Sequence, residues 1–172
     1  HSTGEGYGIA MLGLLFKNRR RYGGYLVHTA MVLLFVGFTG KAFTTEKEFV
    51  LRQGETQHIG SYSVTYDALA HGENAHMVTT AAALTLRRDE SFLATLLPER
   101  RFYHRVDQNT TEVAIWSSRL EDFYLILVGT ADDSSAKFQV YINPLVNCVW
   151  MGGLLFVLSS LWTMWPTGRE RR

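Results

Sequence analysis

Tyr25-Leu-Val-His-Thr-Ala-Met-Val-Leu-Leu-Phe-Val-Gly-Phe38 is the stretch on which the fold turns. It is apolar apart from one imidazole, His28, and the hydroxyls of Tyr25 and Thr29. Extended to Gly23–Gly40, it is about 18 residues long, close to the ~20 that cross a hydrocarbon core. A second apolar run covers Leu145–Trp165. About 100 residues of mixed, charged sequence lie between them, enough for one globular core. A shorter run, Tyr7–Phe16, is too brief to span and reads as a partial or interfacial helix.

Charge sets an orientation. Lys17, Arg19, Arg20 and Arg21 precede the first run, and Arg169, Arg171 and Arg172 follow the second. The positive-inside rule places both termini in the cytoplasm and the middle segment outside. These clusters abut spans and lack interleaved aromatics, which argues against a nucleic-acid surface. The chain starts at His1 with no signal-peptide pattern and reads as a fragment, or the last portion, of a longer membrane protein. Cys148 is the single cysteine, so no internal disulfide forms.

The organisation expected is a cytoplasmic segment 1–21 with a partial helix at 7–16, a transmembrane helix 22–43 carrying His28, a β domain 44–143, a transmembrane helix 144–165, and a basic tail 166–172. The fold class is membrane α-helical plus an all-β extracytoplasmic domain, with two spans flanking an antiparallel sandwich or barrel. Strands are predicted at 48–52, 61–68, 77–87, 92–97, 112–119, 123–128 and 137–142. Turn residues separate them at Gln53-Gly-Glu, His71-Gly-Glu-Asn, Asp89-Glu, Leu97-Pro, Asp107-Gln-Asn and Asp132-Asp-Ser-Ser. Pro144 reads as the first turn of the second span, where a missing N–H is harmless.

In the first span, Gly23, Ala30 and Gly37 recur every seven residues. Such a stripe of small residues lets helix backbones approach in lipid. His28 falls opposite the stripe with Gly24 one turn below it, leaving a face against which a flat ligand fits. An ionisable group in a span is a functional-site hypothesis by default. The residues leave four roles open: a haem ligand, a ligand of another metal, a proton relay, and a structural histidine bonded to a neighbouring helix. A non-haem metal needs further ligands, and the span offers none. His58, His71, His76 and His104 read as surface histidines in or beside loops. Glu121-Asp122 reads as a solvated turn opening a strand, and Asn109-Thr-Thr as a turn.

One family brings these features together. Asn18-Arg-Arg-Arg-Tyr-Gly-Gly-Tyr-Leu-Val-His28, followed by Val32-Leu-Leu-Phe-Val-Gly37, resembles the late transmembrane histidine segment of the cytochrome c maturation protein F (CcmF) family, haem lyase subunits. Pro98-Glu-Arg-Arg-Phe-Tyr103, Thr111-Glu-Val-Ala-Ile115, Glu121-Asp-Phe-Tyr-Leu125 and Ile142-Asn-Pro-Leu-Val146 with Trp150-Met-Gly-Gly153 resemble its C-terminal blocks, in order. Two positions depart from the pattern: Ala30, where glycine is frequent, and Cys148, where an aromatic is usual.

The resemblance implies a multi-pass protein of the bacterial inner membrane, or the mitochondrial one. It implies attachment of haem to apocytochrome c, with a haem chaperone and apocytochrome-presenting thiol proteins as partners. It also implies haem b held between two membrane histidines, one matching His28, in support of haem-iron reduction. Gly24 flanks that position. The second histidine and the external tryptophan-rich loop have no counterpart here, so this segment is not expected to be active alone. The rival reading is a non-catalytic membrane scaffold whose β domain recruits partner proteins and whose His28 is structural.

Overall fold

The computed structural model describes residues 18–74, 76–105, 107–132 and 135–165. They fall into two compact units, a helical one up to Gly40 and from Leu145 onward, and a β unit over Lys41–Pro144. The candidate helix at 7–16 and the basic tail lie outside the described residues.

The helical unit contains α1 (Arg19–Thr39) and α2 (Val146–Met164). Both are long and apolar enough to cross a membrane. They pack through small residues. Gly23, Ala30 and Gly37 are the buried positions of α1. A Cβ at Gly23 would collide with Thr163, and one at Gly37 with Val149. From the other side, a Cβ at Gly152 would lie 3.0 Å from Leu34 N and 3.1 Å from Ala30 O. Glycines on both helices therefore allow backbone-to-backbone approach, which is how helices associate where the apolar surroundings give no hydrophobic drive. Hydroxyls satisfy themselves locally: Ser159 Oγ donates to Leu155 O at 2.6 Å, and Thr163 Oγ1 to Ser159 O at 2.7 Å. Outward-facing Met31, Val32, Phe35, Leu154, Leu158 and Leu161 are exposed, a surface suited to lipid or to further helices.

A short 3-10 turn, Gly40–Phe43, leads into the β unit, whose described residues form ten strands: β1 (Thr45–Arg52), β2 (Thr56–Ile59), β3 (Tyr62–Glu73), β4 (Met77–Arg88), β5 (Ser91–Leu96), β6 (Glu99–Tyr103), β7 (Gln108–Glu112), β8 (Ala114–Ser117), β9 (Glu121–Asp132) and β10 (Ser135–Pro144). They form two antiparallel sheets. One has the order β1-β10-β9-β8; the other runs β2-β3-β4-β6-β7, with β5 also pairing to β4. Strands β5 and β6 follow one another along the same edge of β4, taking Leu84–Arg88 and Met77–Ala81 respectively. Leu97-Pro98 breaks the edge between them, and Ala82 N bonds Pro98 O across the break at 3.1 Å. The core lies between the sheets, with Tyr62, Val64, Tyr66, Leu84 and Leu86 facing Phe123, Leu125, Leu127, Phe138 and Val140. This is the antiparallel sandwich with apolar helices at its sequence ends that the alternation pattern indicates.

Several local readings change. β2, β6 and all of β7 but Glu112 are strands that the sequence pattern misses; Asn109-Thr-Thr lies in β7 rather than in a turn, and the predicted strand 112–119 is chiefly β8. His71-Gly-Glu lies in β3, paired with β4 through Glu73↔Val78, rather than in a turn. A bulge at Asp67 shifts the β3 register and breaks the alternation that would have revealed the longer strand. Its extra residue is fixed by Thr85 Oγ1 donating to Asp67 Oδ2 at 2.7 Å and by Gln53 Nε2 donating to Asp67 O at 2.8 Å. Pro144 closes β10 instead of opening α2. The helix starts after Leu145, which is left-handed at φ 63°. Asp89 and Glu90, both at positive φ, make the two-residue hairpin turn between β4 and β5.

Candidate functional site

The face of α1 opposite its packed stripe carries His28. The side chain is exposed, and Nδ1 lies 2.8 Å from Gly24 O. A carbonyl oxygen only accepts, so Nδ1 carries a proton and donates this bond. This fixes the tautomer and leaves the Nε2 lone pair directed away from the helix backbone, the arrangement a histidine ligand adopts. A Cβ built at Gly24 meets nothing within 4 Å. The turn below the imidazole is therefore open space, bounded by backbone. Thr29 Oγ1 bonds Tyr25 O at 3.0 Å, and Arg21 Nε donates to Tyr25 Oη at 3.1 Å, so the neighbouring polar groups are satisfied without the imidazole.

A single exposed imidazole nitrogen can serve only an ion that other donors already hold, as a macrocycle holds haem iron. Among the described residues no group of three or more His, Cys, Asp or Glu side chains could hold a bare metal ion. Cys148 is free and half-buried, and its backbone lies 3.3 Å from the Cβ position of Gly37. It sits at the helix contact as a small residue.

A second polar centre lies inside the β unit, where the sequence indicates only a solvated turn. Glu121, the first residue of β9, accepts the Tyr62 hydroxyl at 2.7 Å and pairs with Arg88 at 3.4 Å. Arg88 also lies over the Tyr62 ring, 5.2 Å from its centroid, and Trp116 meets that ring edge-on at 6.0 Å. Burial, and then the bond to Glu121, push the Tyr62 hydroxyl up to about 12. Asp122 beside it is buried. Four strands meet here, β3, β4, β8 and β9, and the chemistry is that of a structural clasp. No periodicity could have exposed it, because its members are 59 residues apart.

The family described as the CcmF C-terminal beta-sandwich matches residues 42–144, the whole β unit but for its first residue. The chain belongs to the CcmF family. Among curated CcmF relatives, the cytochrome c-type biogenesis protein CcmF of Haemophilus influenzae is 25% identical over 154 residues, covering 89% of this chain and 24% of that protein. CcmF of Pseudomonas aeruginosa is 26% identical over 151 residues, covering 87% and 23%. The probable cytochrome c-type biogenesis protein NrfE of Escherichia coli is 26% identical over 165 residues, covering 95% and 30%. The chain thus spans about a quarter of the length of the CcmF relatives it matches. A solved structure named cytochrome c heme lyase CcmF superposes with a TM-score of 0.71 at 22% identity over 93% of this chain and 28% of its own, sharing the fold.

Proposed function

We propose that this chain is the C-terminal part of a haem lyase of cytochrome c biogenesis, and that His28 supplies one axial ligand of a membrane b-type haem. The observation that carries the reading is the pairing of His28 with Gly24: one nitrogen tethered to backbone, the other free, above a turn with no side chain. Family membership supports the biogenesis role. The name of the matched solved structure, cytochrome c heme lyase CcmF, supports the lyase assignment.

The chain's residues divide the work. The glycine stripe of α1 anchors the helix to α2 and so fixes which way His28 faces. Gly24 keeps the approach to Nε2 open and its carbonyl holds the tautomer. A b-type haem bound there supplies one-electron chemistry at its iron, in support of haem reduction and attachment. The opposing ligand and the external haem-handling loop come from the remainder of the longer protein. The β unit lies outside the cytoplasm of a bacterial inner membrane, both ends of the chain within. There it serves the partners of the pathway: the haem chaperone, the thiol proteins and apocytochrome c.

Production of covalently haem-bearing cytochrome c by full-length protein carrying His28→Ala tests the role. A strong loss at unchanged protein level is expected. Wild-type yield would overturn the reading in favour of a structural histidine.

A further inference from the structure

Open sheets end in edge strands, whose outward N–H and C=O groups pair with another chain unless something guards them. Most edges of this sandwich are guarded. β1 carries Glu46, Lys47, Glu48 and Arg52. β2 and β8 are four residues long. β5 stops at Leu96, just before Leu97-Pro98. The exception is β7. It ends the six-stranded sheet, pairs with β6, and is exposed along all five residues, Gln108-Asn-Thr-Thr-Glu112. It has no proline and no bulge, and its one charge, Glu112, is tied to Arg101 at 3.2 Å. Among the described residues, the backbone of β7 bonds only that of β6.

The sheet face beside this edge is open as well. Along β4, Leu86, Leu84 and Ala82 are fully buried, but Thr80 and Val78, next on the same face, are only half-buried. Their partners on β6 are Arg100 and Phe102, whose own partners on β7 are Thr111 and Asn109. Opposed residues of an antiparallel ladder project to the same face. Two rows therefore run out to the edge, Thr80–Arg100–Thr111 and Val78–Phe102–Asn109. Val78, Thr80, Arg100, Phe102 and Asn109 line a cleft of about 260 Å³ there.

Arg100 is the charged group of the cleft. Its Nη1 donates to Val128 O at 3.2 Å, and Gly129 permits the approach, since a Cβ there would lie 3.3 Å from Nη1. That bond uses one guanidinium N–H and leaves the others. Arg88, Arg101 and Lys137 each pair with a glutamate, whereas Arg100 makes no ion pair among the described residues. We propose that β7 and this cleft form a docking site for an extended segment of a partner protein. The segment adds to β7 as an antiparallel strand, with a glutamate opposite Thr111 and a branched apolar residue opposite Asn109. Main-chain pairing supplies affinity, and the alternate side chains supply specificity. The site uses no residue of the haem reading above and stands without it.

Register and reach set the chemistry of the partner. The glutamate falls in the Arg100 row, where its carboxylate takes guanidinium N–H groups in a charge-assisted bond. The apolar residue falls in the row of Phe102 and Val78. In antiparallel order the segment reads Glu-x-Val. The added strand lies two strand spacings from β6, about 10 Å, a gap that arginine and glutamate close together and that aspartate, one methylene shorter, closes less well. Glu99 and Glu112 bond Arg101 on the other face of the sheet and do not compete.

The probe is a fluorescein-labelled peptide, Thr-Thr-Thr-Glu-Thr-Val-Thr, titrated by fluorescence polarisation against full-length protein. Companion peptides carry Gln in place of Glu, or N-methyl groups on one or the other set of alternate residues. Wild type should bind the Glu peptide at least about tenfold more tightly than the Gln peptide. That preference should vanish in Arg100→Gln and survive in part in Arg100→Lys. N-methylation should abolish binding in one alternate set and spare it in the other, because only one set of N–H groups faces β7. A variant that merely misfolds weakens both peptides alike, and the comparison within wild type still decides. No binding of the Glu peptide up to about 1 mM would overturn the proposal. So would equal affinity for the Glu and Gln peptides, a preference that persists in Arg100→Gln, or indifference to both methylated sets. Displacement of the peptide by an equal concentration of free glutarate would overturn it too, assigning the cleft to a small carboxylate.

Discussion

The hydroxyl of Tyr62 on β3 donates to the carboxylate of Glu121 on β9 at 2.7 Å, tying one sheet of the sandwich to the other. Arg88 holds the same carboxylate at 3.4 Å. Because the folded phenol titrates at about 12 against an ordinary 10.0, the fold favours its neutral form. Its contribution to stability is therefore complete below about pH 10 and lost as pH rises from there through 12. Thermal unfolding at pH 9 and pH 11.5 checks this. Tyr62→Phe should lose about 1 kcal/mol at the lower pH and show a smaller decline between the two than wild type. Parallel declines would mean that the hydrogen bond does not couple to folding.

The sandwich depends on aromatic packing at its centre. Phe138 is fully buried, 5.2 Å from the Tyr66 ring and 6.2 Å from Phe49. Phe138→Ala should cost about 3–5 kcal/mol, read as a fall in the denaturation midpoint. Val50→Thr, at an exposed β1 position, should change little.

Two glycines on different faces of α1, Gly37 and Gly24, should behave differently. Bulk at Gly37 meets Val149 and at Gly23 meets Thr163, while Gly24 has open space. Gly37→Leu should therefore weaken the helix pair, raising proteolytic sensitivity of the full-length membrane protein. Gly24→Leu should leave that sensitivity unchanged and lower haem content, because its side chain would occupy the space beside His28. Equal effects of both changes on proteolysis would contradict the assignment of faces.

How much of this the sequence discloses follows from how local each signal is. The helices, the small-residue stripe and the position of His28 opposite it are written in a single stretch, because helical periodicity alone decides them. Most strands are legible for the same reason. β6 is not: Glu99-Arg-Arg-Phe-Tyr103 looks like a charged loop, and only its neighbours make it a strand, where Arg101 bonds Glu99 at 2.9 Å and Glu112 at 3.2 Å. β2 is four residues long and pairs only with β3. The Tyr62–Glu121 clasp is invisible for a stronger reason: its residues lie 59 apart, on strands of different sheets, and no single strand records their meeting.

Orientation is checkable at Val50, which is exposed on β1. In a cysteine-free background, Val50→Cys in full-length protein should react with a membrane-impermeant maleimide added to the extracytoplasmic side of intact spheroplasts. Labelling only after lysis would reverse the topology drawn from the arginines.

The most direct test of the central claim is the visible absorption spectrum of full-length protein carrying His28→Gly, recorded with and without added imidazole. If Nε2 of His28 bonds the iron, the low-spin haem bands disappear with the substitution. They then return with imidazole, which enters the space that the missing ring and Gly24 leave open. Haem bands of wild-type position and intensity in His28→Gly without imidazole would contradict the account.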